Sequence, residues 1–315
     1  MTDEGAVCAL SKIVERAELK CRFDFNLARK SAKFSRRNWA ESWRTAGLAA
    51  GHYSRDANGT GSDEPLIEML NNDPMIVSDD HRLYVIGDIH GRSDLLDKIT
   101  NEIKRDLAEH PIDKAVSITL GDYVDRGPDS CGVLDRLAQN SFPTPYIALK
   151  GNHEELFEAF MTDPAVGPQW RHLGGLETLH SYGVPVGSLM RGKGFAEASD
   201  ALRNAVPKKH LEFLSSLQLS FATSRYFLCH AGVRPSVPLE QQQASDMLWI
   251  RDEFLNSRKN FGKIVVHGHT PVEQPEVLPN RINVDTGAFA TGRLTCLVLE
   301  RRTWRFLFTS GGDGG

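Results

Sequence analysis

From Arg82 onward, short apolar runs alternate with segments whose apolar residues recur at helical spacing. Residues 82–86 form a β-rich run that stops at Gly87. Residues 93–108 then set Leu95, Leu96, Ile99, Ile103 and Leu107 on one helix face, with Ser93 as a candidate N-cap. A second apolar run covers 115–120, and a helix after Pro128 carries Val133, Leu134 and Leu137 on one face. A third strand at 146–149 and a third helix at 154–161 complete the series. Strands and helices in this alternation imply right-handed crossovers and a locally parallel sheet. Residues 165–200 are rich in Gly and Pro and read as a long excursion over the surface. Further strands are expected at 225–229, 263–266, 282–284, 294–299 and 304–308, the last two as an antiparallel pair around Arg301. No internal repeat is present.

Residues 1–80 have a different texture, with no clear strand and a polar cluster at Asn58-Gly59-Thr60-Gly61-Ser62-Asp63. Between 20 and 55, nine Lys/Arg face only Asp24 and Glu41, yet a solvated, loosely ordered and locally basic extension accounts for them. The expected division is therefore an N-terminal extension, 1–80, and a catalytic domain, 81–310. Four acidic residues in the first 18 positions argue against a targeting peptide. With 40% hydrophobic residues, no spanning apolar run and a net charge of −4, neither a membrane nor a nucleic acid is expected as partner. Five scattered cysteines without a CxxC pair suit a reducing cytoplasm.

Each of the first three strands ends in a polar cluster: Gly87-Asp88-Ile89-His90-Gly91, Gly121-Asp122-Tyr123-Val124-Asp125-Arg126-Gly127 and Gly151-Asn152-His153-Glu154. Two later strands end in His230 and in His267-Gly268-His269-Thr270. Ligands of open α/β sheets gather at the carboxyl ends of the strands, so these loops converge on one edge. Carboxylate, imidazole and amide oxygen together suit two divalent transition-metal ions, Mn²⁺ first and Fe or Zn²⁺ otherwise. A carboxylate bridging a pair of cations, with a water activated between them, is a general device for phosphoryl displacement.

These clusters, in this order and followed by His230-Ala231-Gly232 and Gly268-His269-Thr270, resemble the phosphoprotein phosphatase family of calcineurin-like metallophosphoesterases. The resemblance runs from 82 to about 300, and Trp170, Gly174-Gly175 and Ser181-Tyr182-Gly183 resemble its bacterial serine/threonine phosphatase branch. It implies an α/β fold: a β-sandwich of two mixed sheets flanked by helices, four layers in all. It implies Asp88 and His90 on a first metal, Asp122 bridging, and Asn152, His230 and His269 on a second. It further implies His153 as general acid oriented by Asp125, which raises its basicity so that it works as an imidazolium, and Arg126 with Arg251 as a phosphate clamp. The implied substrate is a phosphorylated protein. The alternative is a dinucleoside polyphosphate cleaved symmetrically, with Trp170, Arg171 and Arg191 supplying base stacking and phosphate contacts. Nuclease-like relatives are disfavoured, because Glu154 follows His153 and Pro271 stands where they carry a second histidine. A scaffold that had lost catalysis would carry a broken ligand set, and this set is intact. His267 is expected to be structural, since the ligand of such a motif directly follows the glycine.

Overall fold

In the computed structural model, which describes residues 81–309, both faces of the strand Arg82–Ile86 (β1) are buried. Leu83 and Val85 point into one apolar cluster, whereas Tyr84 and Ile86 point into another. A strand covered on both faces reads as a continuous apolar run rather than an alternating one, which is the pattern of this segment. The helices Ser93–Glu109 (α1), Ser130–Ala138 (α2) and Asn152–Thr162 (α3) follow β1, Ala115–Thr119 (β2) and Tyr146–Ala148 (β3) in turn. The three strands are parallel, and Thr295–Glu300 (β9) and Thr303–Phe308 (β10) extend the sheet antiparallel, in the order β10-β9-β1-β2-β3.

A second five-stranded sheet is built from Ser220–Ala222 (β4), Tyr226–Cys229 (β5), Ile264–His267 (β6), Glu276–Val277 (β7) and Arg281–Asn283 (β8), in the order β4-β5-β6-β8-β7. Here β5, β6 and β8 are parallel, with an antiparallel strand at each edge. Leu83, Val85, Ile118 and Leu297 of the first sheet meet Tyr226, Leu228, Val266 and Ile282 of the second. Phe227, Cys229 and Val265 face outward under Met247, Ile250 and Phe254. The result is four layers, helix, sheet, sheet, helix, as the sequence implied. At about 1.5–3 kcal/mol for each large side chain taken out of water, the inter-sheet cluster is a main source of stability.

The segment 165–200 differs from the expected surface excursion. It holds the helices Gly167–Trp170 (α4) and Leu176–Ser181 (α5), joined by a kinked turn over Arg171–Gly175, and then Phe195–Ala205 (α6). Trp170, Leu179, Ala198 and Leu202 are buried in the core beside α3. Glycines at 167, 174 and 175 suggested a loop, but tertiary packing overrides that weak local preference. The helix Lys208–Ser215 (α7), which buries His210, Phe213 and Leu214, and the edge strands β4 and β7 were not anticipated. Strands of three and two residues are too short to show a period. The proposed extension, 1–80, lies outside the described residues. Among the described residues no helix is long and apolar enough to cross a membrane.

Candidate metal centre

Every predicted ligand leaves the carboxyl end of a strand. Asp88 and His90 follow β1, Asp122 follows β2, Asn152 opens α3 after β3, His230 follows β5 and His269 follows β6. Seven non-glycine described residues have positive φ, and five of them, His90, Asp122, Asp125, Arg126 and His269, are candidate site residues. Backbone held in that region costs of order 1–3 kcal/mol a residue and persists only where surroundings enforce it.

Asp122 stands at the centre, fully buried. Its Oδ1 lies 3.3 Å from His230 Nε2, and its Oδ2 lies 3.4 Å from His90 Nε2 and 3.8 Å from His153 Nε2. Asn152 Oδ1 is 2.9 Å from both His230 Nε2 and His269 Nδ1, which are 3.1 Å apart. Donors about 2.0–2.2 Å from one cation stand roughly 2.9–3.5 Å from each other, so these spacings fit a cation at their centre. Tautomers agree with this. His90 donates Nδ1–H to Val124 O and His230 donates Nδ1–H to Leu120 O, leaving each Nε2 lone pair turned inward. Asp88 accepts the backbone N–H of His269 at 3.0 Å, drawing the first and last ligand loops together. A side chain on Gly268 would strike Asp88 Oδ1, so the close approach there requires glycine.

The electrostatics point the same way. Burial, then Asp285 and Asp122, push the Asp88 carboxyl well up, and burial raises Asp122 too. Burial pulls His90 and His269 well below the usual imidazole range and brings His230 down to about 3, so these rings are neutral and able to ligate. Arg126 offsets only part of what raises these carboxyls, and divalent cations would offset the rest.

His153 sits beside Asp122, its Nδ1–H donated to Asp125 Oδ2 at 2.6 Å. Burial pulls His153 down to about 3 against the opposing charge of Asp122, and pushes Asp125 up to about 7. Loss of solvent thus outweighs the pull of Asp122 toward the charged ring. Arg126 donates to His90 Nε2 at 3.0 Å and to His153 Nε2 at 3.1 Å, with its guanidinium 5.0 Å from the Phe289 ring. Arg251 is exposed, and its charge lowers His153, His230 and His269, placing it near the cluster. His267 is buried at the same edge but bonds to Gly268 O and lies 3.4 Å from Arg281. Trp170 is buried and donates its indole N–H to Asp125, so it offers no face to a nucleobase. Arg171 donates to Leu189 O.

Four further residues belong to the site. Glu154 carries no role in the sequence reading, although it closes a motif. Asp285, buried at the end of β8 and raised to about 6 chiefly by burial, obeys the same strand-end rule that found His230. Thr178 and Phe289 carry no sequence signal, because nothing in one chain says which loop faces them.

A family model described as calcineurin-like phosphoesterase matches residues 81–296. Over 226 residues the chain is 30% identical to serine/threonine-protein phosphatase 1 of Salmonella typhimurium, covering 68% of this chain and 89% of that protein. Over 231 residues it is 26% identical to the bis(5'-nucleosyl)-tetraphosphatase PrpE [asymmetrical] of Halalkalibacterium halodurans, covering 68% and 88%. A crystal structure titled a putative diadenosine tetraphosphatase shares the fold, with TM-score 0.50 and 19% identity over 75% of this chain and 96% of the other.

Proposed function

The chain belongs to the calcineurin-like phosphoesterase family and is a hydrolase, and from that premise we propose that it removes phosphate from phosphoserine and phosphothreonine in proteins. The observation that carries this reading is the Asp122 carboxylate, whose two oxygens face two separate sets of donors. In our reading Asp88, His90 and Asp122 hold one cation, and Asp122, Asn152, His230 and His269 hold the other, with Mn²⁺ suited to this mixture of oxygen and nitrogen donors. When bound, the pair lowers the pKa of water and neutralises charge on the phosphoryl oxygens.

This chain's own residues do the rest. Arg126 and Arg251 receive the non-bridging phosphoryl oxygens, to which guanidinium forks are matched. A dianionic phosphoryl group beside His153 favours the charged ring by Coulomb attraction, offsetting the loss of solvent. Its Nε2–H then passes to the leaving alkoxide as the P–O bond breaks, while Asp125 keeps hold of Nδ1. Scattered cysteines, free at 131, 229 and 296 among the described residues, support a reducing cytoplasm as the setting.

A second reading, hydrolysis of dinucleoside tetraphosphates, is favoured by the name of the Halalkalibacterium relative. The burial of Trp170 counts against the stacking platform that this reading had invoked. Parallel kinetics on phosphoserine peptides and diadenosine tetraphosphate under one Mn²⁺ concentration test the choice. A higher kcat/KM on the peptides supports the first reading. A higher value on the dinucleotide overturns it, and the products, two ADP or ATP with AMP, then report symmetrical or asymmetrical cleavage.

A further inference from the structure

We propose that Trp170 and Thr178 are positioning residues for His153, acting through the carboxylate of Asp125; this rests on the reading of His153 as general acid. Asp125 has no contact with solvent. Its Oδ2 accepts His153 Nδ1–H at 2.6 Å and Trp170 Nε1–H at 2.8 Å, and its Oδ1 accepts the Thr178 hydroxyl at 2.6 Å. Because the Thr178 proton is spent on that bond, its lone pairs face the Asp125 backbone N–H at 2.8 Å and the Ser130 hydroxyl at 2.9 Å. The donors from Trp170 and Thr178 leave the carboxylate one plane and one rotamer, the one that aims Nε2 of His153 at Asp122.

The turn they hold does not support itself. Asp125 and Arg126 have φ of 73° and 67°, in the left-handed region that disfavours side chains. Beside the two side-chain donors, the turn between α4 and α5 contributes a backbone clamp, in which Arg126 N–H donates to Gly174 O at 3.2 Å. Gly174 has φ of 102°, and a Cβ there would lie 2.5 Å from Arg126 N. The kink over Arg171–Gly175, where Gly174 leaves helical geometry, offsets α5 from α4 so that Trp170, Gly174 and Thr178 all reach the same turn. Trp170 is itself fixed by a tilted contact with Phe160, ring centroids 4.8 Å apart, and edge-on against Phe157 at 6.0 Å. A buried indole N–H needs an acceptor. Here the acceptor is the group that orients the proton donor, and the segment supplying it adds no ligand to the cation cluster.

Packing alone would make these residues matter equally for every substrate. Positioning of a proton donor matters only where the leaving oxygen needs a proton. The test therefore compares kcat of the Mn²⁺-loaded full chain on phenyl phosphate, a poor leaving group, with kcat on 2,4-dinitrophenyl phosphate, a good one. Trp170→Phe keeps most of the ring packing and loses the N–H. We expect about a tenfold or larger loss on phenyl phosphate and less than about threefold on the dinitrophenyl ester, part of the effect of a whole general acid. Thr178→Val should show the same split with bound metal unchanged, and Thr178→Ser should restore it; this pair carries the test if Trp170→Phe does not fold. Equal fractional losses on both esters, or no loss on either, overturn the proposal. His153→Asn is the reference. If it shows no leaving-group dependence, the general-acid reading fails; if it does and the Trp170 and Thr178 variants do not, only the positioning role fails.

Discussion

Glu154 Oε2 accepts the backbone N–H of Asp122 at 2.8 Å, tying the first turn of α3 to the loop that carries the central carboxylate. The same side chain accepts N–H groups from Gly151 at 2.9 Å, Tyr123 at 2.7 Å and Val124 at 3.3 Å. Burial and the neighbouring Asp122 push Glu154 up to about 8, while the backbone donors pull it down. Two loops are thus fixed by one carboxylate that touches no candidate ligand side chain.

Replacing Glu154 by Gln turns an amide N–H₂ toward backbone N–H donors that the second oxygen had satisfied. We expect a loss of about 1–3 kcal/mol in denaturant unfolding, the cost of stranding buried donors, together with weaker Mn²⁺ binding by calorimetry. Unchanged stability and affinity would show that the Asp122 loop holds itself.

Asp122→Asn and His153→Asn separate ligation from proton transfer. The first removes charge from the carboxylate that faces both donor sets and should abolish phenyl phosphate hydrolysis. The second should lower it by about 10²–10⁴-fold, the usual worth of a general acid. Equal activity in the two variants would contradict the division of roles.

The benefit of Mn²⁺ to thermal stability should grow with pH. Without cations, Asp285, Asp125 and Glu154 have folded-state values of about 6, 7 and 8, raised above their unfolded values. The folded chain then holds protons that the unfolded chain releases above about pH 4, and stability falls as pH rises from there up to those values. His153, His230 and His267 sit at about 3, below the ordinary 6.5, so their contribution falls as pH drops below 6.5 and opposes that of the carboxylates there. Calorimetric Tm of chelated protein should therefore fall as pH rises from about 6.5 to 8, where only the carboxylates act, whereas the Mn²⁺-loaded protein should lose little over that range, since deprotonation favours ligation. A Tm difference independent of pH would contradict this.

His267 should prove structural. It is fully buried, edge-on to Phe254 at 5.0 Å and beside Arg281. His267→Gln is expected to cost about 1–3 kcal/mol by chemical denaturation while elemental analysis finds the metal content unchanged. Loss of one bound metal would make it a ligand instead.

The strand-end clusters were legible because their residue types and order survive without knowledge of packing. Asp88, His90, Asp122 and Asn152 need only the parallel strands β1 to β3 to meet, which the periodicity of β1 to α3 supplied, whereas His230 and His269 end strands of the second sheet and were joined to them by the resemblance. The helical brace at 167–181 was illegible for the opposite reason. Its glycines suggest a loop in isolation, and the value of Trp170 and Thr178 appears only against the Asp125 turn. The burial of His153 escaped too, since a motif gives neighbours but not depth.

Two cations astride Asp122 are the core of this account. Anomalous diffraction from crystals of the Mn²⁺-loaded protein tests them most directly. We predict two peaks about 3.5–4 Å apart, one against Asp88 and His90, the other against Asn152, His230 and His269, both within reach of Asp122. A single peak, or peaks remote from Asp122, would contradict it.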